Sequence, residues 1–185
     1  MPQVNLSEFD KSGLERGRSR GVEIAWWLAR VSIVQTRFPW PSIFRKAVLT
    51  LFGAKVGKNF YCRPELAVHF PWKLEIGDNV WLGERTVLHN IEHIYIGSNT
   101  ALGHEVFITS GGHDVRSRLF SYKNQEVHVG DQVWIGSRAT ILAGVQIGQG
   151  TVVAAGSVVT KPTEAWSIYG GVPARKLRAR SLVND

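Results

Sequence analysis

Between residues 129 and 160 an aliphatic side chain recurs at every sixth position: Val129, Ile135, Ile141, Ile147, Val153 and Val159. Gly or Ala follows four of them (Gly130, Gly136, Gly148 and Ala154), while Leu142 and Gly144 follow Ile141 more loosely. An amphipathic helix repeats every 3.6 residues and a half-buried strand every two, so neither has this period. A solenoid does. Each six-residue unit forms one flat face, three units close a triangular coil, and each aliphatic side chain stacks on its counterpart one coil up. The small residue behind it lets the chain turn the corner without a Cβ in the way.

The same beat runs upstream at Ile76-Gly77, Leu82-Gly83 and Leu88, and again at Ile96-Gly97, Leu102-Gly103 and Ile108, offset by two residues. Val56-Gly57 opens an earlier, less regular coil. The drift predicts short insertions at the corners, and one long interruption falls at 109–128. With about 18 residues per coil, the remainder makes roughly five coils and a prism about 25 Å long. The expected chain is therefore mainly β. An N-terminal arm and helical segment occupies 1–53, a parallel β-helix with the inserted loop 109–128 occupies 54–162, and a basic tail occupies 163–185.

Within the first segment, residues 21–37 read as an amphipathic helix carrying Trp26 and Trp27, broken by the Pro-Trp-Pro at 39–41. Residues 42–52 read as a second short helix, capped by Ser42 and ended by Gly53. Arg30 interrupts the apolar run, so neither piece reads as a membrane span. The preferred reading is that these helices pack on the prism or on another subunit; a bilayer interface, which tryptophans flanked by Arg and Lys also suit, is the alternative. Residues 1–20 read as loosely ordered or draped over a partner subunit.

The net charge of +7 is uneven: +5 over 1–55, −1 over 56–160 and +3 over 161–185. No nucleic-acid motif accompanies it, so nucleic-acid binding is not the expected role. The single cysteine, Cys62, excludes an internal disulfide and a cysteine-based metal site. The polar N-terminus carries no leader pattern, and a cytoplasmic location is expected, with peripheral placement at the inner membrane face as a further option.

The run VWIGSRATILAGVQIG, then AAGSVVTK, then GGVPARKLR resembles the hexapeptide-repeat acyltransferases of the maltose, galactoside and nodulation-factor O-acetyltransferase type. The segments LFGAKVGKN (51–59) and FPWKLEIGDNVW (70–81) resemble the colanic-acid exopolysaccharide acetyltransferases within them. The resemblance implies a left-handed parallel β-helix, an exception to the usual crossover hand. It further implies acetyl-CoA as acyl donor, a carbohydrate acceptor, no metal, and a homotrimer with its active site between subunits.

Carried over by motif, His113 in the interrupting loop is the catalytic general base, since an imidazole near neutral pH can take the acceptor hydroxyl's proton. Coenzyme contacts fall on Ser137, Ala155, Thr160 and Lys161, with Arg175 and Arg178 facing the phosphates of the nucleotide end. His89 and Asn90 are candidates for the acceptor cleft. Asp114 is a further candidate there, although as the neighbour of His113 it is better placed to cap a turn. The γ-type carbonic anhydrases share the solenoid but place two zinc-binding histidines five apart; here the spacings are 20, 4, 11, 9 and 15. The expected function is sugar O-acetylation in surface-polysaccharide assembly. N-acetylation of an amino sugar, and a non-catalytic scaffold in a glycosyltransferase complex, are the alternatives.

Overall fold

The computed structural model describes residues 4–9 and 12–183. Fifteen short strands wind into five coils of three. They are β1–β3 (Lys55–Val56, Tyr61–Cys62, Ala67–Val68), β4–β6 (Leu74–Ile76, Trp81–Leu82, Val87–His89), β7–β9 (Ile94–Ile96, Ala101–Leu102, Phe107–Thr109), β10–β12 (Val127–Val129, Trp134–Ile135, Thr140–Ile141) and β13–β15 (Gln146–Ile147, Val152–Val153, Val158–Val159). Strands at the same position in successive coils pair in parallel and make three faces. The first face is β1-β4-β7-β10-β13 and the third is β3-β6-β9-β12-β15. The second face, β2-β5-β8-β11-β14, is extended by β16 (Ser167–Gly171) and β17 (Ala174–Ala179).

The register places the six-residue beat in three buried columns. Ile76, Ile96, Val129 and Ile147 align on the first face; Cys62, Leu82, Leu102, Ile135 and Val153 on the second; Val68, Leu88, Ile108, Ile141 and Val159 on the third. Each buried aliphatic side chain contributes roughly 1.5–3 kcal/mol by leaving water. Coils one to three advance 20 residues (Lys55, Glu75, Tyr95) and the last step 18 (His128, Gln146). The two additional residues lie at the corner between the third and first faces, as the sequence drift predicts.

The corners require left-handed backbone. Asn59, Asn79, Asn99 and Gln132 have φ between 52° and 60° at the corner between the first and second faces, and Gly150 continues the stack at 67°. The asparagines offset this strain by a ladder of side-chain amides, Asn59 Nδ2 to Asn79 Oδ1 at 2.8 Å and Asn79 Nδ2 to Asn99 Oδ1 at 3.0 Å. Glu65, Arg85, Glu105 and Arg138 repeat the device at the second–third edge, with Glu105 held between Arg85 (2.5 Å) and Arg138 (2.7 Å).

Two helices close the N-terminal end of the prism. Helix α1 (Arg20–Ala29) runs into a π-helical turn at Arg30–Val34, and α2 (Ser42–Leu51) follows. Trp26, Val34 and Leu49 are buried in the same core as the first coil. Trp26 Nε1 donates to the His69 carbonyl at 2.9 Å. The buried Arg45 guanidinium holds the Pro-Trp-Pro turn by donating to the carbonyls of Phe38 (2.9 Å) and Trp40 (2.6 Å). Ser42 is not the helix cap: Pro41 occupies that position, and Ser42 Oγ pairs with the backbone of Cys62, accepting from its N–H at 3.0 Å. The expected long helix stops at Ala29 because the π turn takes over. No helix among the described residues is long and apolar enough to cross a membrane.

The residues expected as a tail are a folded hairpin. β16 pairs in parallel with β14, β17 returns antiparallel, and Arg180 Nη1 locks the end by donating to the carbonyls of Gln132 and Gly150, both at 2.9 Å.

Candidate active site

The long insertion leaves β9 at the third–first edge and re-enters at β10, so it replaces one corner. Gly111 and Gly112 start it. An ideal Cβ on Gly111 would lie 3.0 Å from Ile91 and 3.1 Å from the His89 ring, which is why the chain is bare as it passes the second coil. The insertion is then a short antiparallel finger: His113 bridges Tyr122, Lys123 N donates to Gly112 O at 2.8 Å, and Asp114 N to Ser121 O at 2.9 Å. Asp114 caps the turn at its tip, its Oδ1 accepting from Arg116 N at 3.0 Å. That backbone bond holds its carboxyl below the usual carboxylate range. It organises the loop and does not contact the imidazole of His113 by any hydrogen bond in the structure.

The His113 ring is held by the finger itself. It stacks on Phe120 at 3.9 Å between centroids and 14° between planes, with Tyr122 at 5.0 Å. Its Nδ1 lies 2.7 Å from the Phe120 carbonyl oxygen. A carbonyl only accepts, so Nδ1 carries the proton, and the neutral tautomer that fits this bond has its lone pair at Nε2. This tautomer is the one a general base requires. The N-terminal arm completes the wall: Phe9 sits 5.8 Å from the His113 ring and 5.1 Å from Tyr122, and Asn5 N donates to Arg118 O at 3.0 Å. The arm therefore packs on its own chain's loop in its described part, where the sequence reading left it loose or on a partner. Phe120, Tyr122 and Phe9 were not legible as site residues, because nothing in their spacing ties them to His113.

Below the finger, on the same edge, His89 Nδ1 lies 2.9 Å from Thr109 Oγ1, and its ring is 5.3 Å from that of His69. Burial lowers the pKa of His89, and burial, then His89, Arg30 and Arg16, lower that of His69 to about 4. Burial thus favours the neutral form of both rings. Asn90 is not in the cleft. It is fully buried; its Oδ1 accepts from the His69 and Phe70 amides (2.9 and 3.1 Å), and its Nδ2 donates to the Phe70 and Lys73 carbonyls. With every polar atom engaged it ties the first coil's corner to the second and has no capacity left for an acceptor.

The proposed coenzyme residues occupy two different edges. Ser137 and Ala155 follow β11 and β14 at the second–third edge. Ser137 Oγ accepts from His104 N at 3.1 Å, and the exposed Ala155 amide makes no internal hydrogen bond among the described residues. Thr160 and Lys161 follow β15 at the third–first edge, two coils beyond the finger, and are exposed. Arg175 and Arg178 project from β17. Among the C-terminal cations, Lys176 pairs with Glu164 at 2.6 Å and Arg180 is consumed by carbonyls. Lys161, Arg175 and Arg178 have no carboxylate partner among the described residues and remain available for phosphates. Cys62 is buried and its thiol is pushed up to about 11, chiefly by burial, which removes it as a nucleophile. Among the described residues no group of three or more His, Cys, Asp or Glu side chains is arranged to hold a metal ion.

Residues 126–161 match the family described as bacterial transferase hexapeptide (six repeats). The chain is 34% identical, over 95% of its length and 97% of the relative's, to the Escherichia coli WcaF protein, itself assigned by inference as a colanic acid biosynthesis acetyltransferase. It is 31% identical over 76% of its length to the galactoside O-acetyltransferase of the same organism, covering 70% of that protein. A hexapeptide-repeat acetyltransferase of Vibrio cholerae solved with acetyl coenzyme A superposes with a TM-score of 0.71 at 25% identity, covering 94% of this chain and 93% of that one. The solenoid is thus the left-handed parallel β-helix of these enzymes.

Proposed function

This chain belongs to the hexapeptide-repeat acyltransferases, acetyl-CoA-dependent enzymes, and within that family we propose that it transfers acetyl to a sugar hydroxyl in surface-polysaccharide assembly. The observation that carries the reading is the Nδ1–H bond from His113 to the Phe120 carbonyl. It leaves Nε2 free to take the acceptor's proton. As the sugar oxygen bonds to the thioester carbonyl carbon, its proton passes to Nε2. When the tetrahedral intermediate collapses, the C–S bond breaks and the imidazolium returns the proton to the departing sulfur. No acyl-enzyme is needed, and Asp114 acts by holding the loop.

In this reading the coenzyme's pantetheine runs past Ser137 and Ala155, where the free Ala155 amide offers a donor, and Lys161, Arg175 and Arg178 meet its phosphates. His113 and the Ser137–Ala155 groove lie on different edges of one prism, with the third face between them. Two copies side by side bring one chain's finger to the other chain's groove, and a cyclic trimer closes that arrangement. The outward side chains agree. The first face shows Lys55, Glu75, Tyr95, His128 and Gln146 outward, while the second shows Tyr61, Trp81, Ala101, Trp134 and Val152, and the third Ala67, Val87, Phe107, Thr140 and Val158, with Thr140 the one polar side chain of the last two. The two apolar faces are the ones available for burial between copies.

A panel of free and lipid-linked sugars, assayed for thiol release from acetyl-CoA with the product then treated with hydroxylamine, tests the reaction. A product ester cleaved by hydroxylamine is expected. A resistant amide would favour amino-sugar N-acetylation, and failure of the protein to bind coenzyme A at all would favour the scaffold.

A further inference from the structure

A second cleft, of about 410 Å³, opens between α1 and the first corner of the third–first edge, the edge that carries His113. Arg16, Arg20 and Arg30 converge on it, with Glu23, Trp27 and His69 in its wall. Arg16 is fixed in place: its carbonyl accepts from Trp72 Nε1 at 2.7 Å and its guanidinium pairs with Glu23 Oε2 at 2.5 Å. Arg20 and Arg30 have no carboxylate partner among the described residues. Three guanidiniums therefore face one carboxylate, so the cleft carries an excess of positive charge.

Two buried polar atoms here have no partner in the protein. Arg30 Nε is an unused donor and Glu23 Oε1 an unused acceptor. Leaving either unpaired costs about 1–3 kcal/mol, and Arg30 stands at the start of the π-helical turn, an irregularity that concentrates at functional positions. Both atoms are shielded from solvent, so a small turn of each side chain toward the cleft would let a ligand with an anionic oxygen and a hydroxyl satisfy both. Beside the cleft, Ile24, Trp27, Leu28 and Val31 form one exposed apolar strip of α1 and the turn that follows it, at i, i+3, i+4 and i+7. From the cleft the path to the catalytic edge is short: His69 meets His89 at 5.3 Å, and His89 lies under Gly111, two residues before His113.

We infer that this cleft holds the phosphate of the acceptor, and that the acceptor is a sugar joined through phosphate to an apolar chain which lies along the α1 strip. This deepens the sugar-acceptor reading above and rests on it. Arg20 and Arg30 make charge-assisted bonds to the phosphate, Glu23 accepts from a sugar hydroxyl, and the sugar extends past His69 and His89 to His113. The same chemistry would come from a phospholipid headgroup, with the enzyme lying on a bilayer surface.

Isothermal titration of the full chain with dodecyl phosphate below its micelle concentration, inorganic phosphate and uncharged dodecyl maltoside tests this, with flotation on phosphatidylglycerol vesicles as a separate arm. Coenzyme A is titrated into the same samples. Dodecyl phosphate is expected to bind best, and Arg20→Gln with Arg30→Gln to weaken it at least about tenfold while coenzyme A affinity stays unchanged. Equal binding of dodecyl phosphate by wild type and the double variant, or no binding, overturns the proposal. So does binding confined to vesicles, which assigns the arginines to a lipid surface. Should the double variant lose coenzyme binding as well, the exposed single change Arg20→Gln carries the comparison, with a several-fold loss expected and no loss counting against. A wild type that binds no coenzyme A overturns the transferase reading instead, so the two failures are distinguishable.

Discussion

Gly97→Ala is expected to destabilise the solenoid by about 3 kcal/mol or more, the upper range for forcing atoms into a filled interior. An ideal Cβ at that position would lie 2.6 Å from Asp131 N and 2.6 Å from the Gly130 carbonyl carbon in the coil above. Both are backbone atoms, and neither can move without opening the parallel pairing of β7 with β10. The residue sits at the corner between the first and second faces, away from both proposed ligand edges, so the effect reads packing alone. Gly21→Ala is the control. Nothing lies within 4 Å of its ideal Cβ and it stands inside α1, where Ala is favoured by roughly 0.5–1 kcal/mol. Thermal unfolding of the pair checks both directions; a Gly97→Ala protein that melts with wild type would mean that the coils do not stack this closely.

His113→Ala is expected to lower kcat by about 10² to 10⁴, the usual contribution of a positioned general base. Coenzyme A affinity is expected to stay within about twofold, because Ser137, Ala155 and the free cations are untouched. The ring also fills the space between Phe120, Tyr122 and Phe9, so His113→Phe keeps the packing while removing Nε2. Equal losses in the two variants assign the effect to the nitrogen. Recovery of turnover by His113→Phe would assign it to the shape of the finger.

The fold was readable because a six-residue period admits few architectures, and the three buried columns keep the register that the sequence sets out. Its hand was not, since stacking an aliphatic residue every six positions is equally possible in either sense. At the site, His113 stood out through the interruption of the repeat, and the glycines before it mark where the chain passes close to His89. Its orientation depends on the Phe120 carbonyl, and a backbone acceptor leaves no trace in residue type. Asn90 misled for a related reason. A polar residue beside a catalytic edge reads as a ligand-binding group, whereas here the corner's unpaired amides and carbonyls recruit all of its hydrogen-bonding capacity. Ser42 stands at a helix start and resembles a cap, but the amide of Cys62, twenty residues on, is the partner it reaches. Such long-range pairings belong to the coil geometry and are not encoded in neighbouring positions.

The assembly of one site from two chains is tested most directly by complementation. His113→Ala removes the base from one edge, and Ala155→Trp fills the groove on the other; each is expected to be inactive alone. Co-expressed with different tags and purified as mixed assemblies, they should recover about a third of wild-type turnover per site, because a cyclic trimer that holds both variants has one interface in three where a wild-type finger faces a wild-type groove. Mixed assemblies that form but show no turnover beyond that of either parent would place His113 and its coenzyme on the same chain.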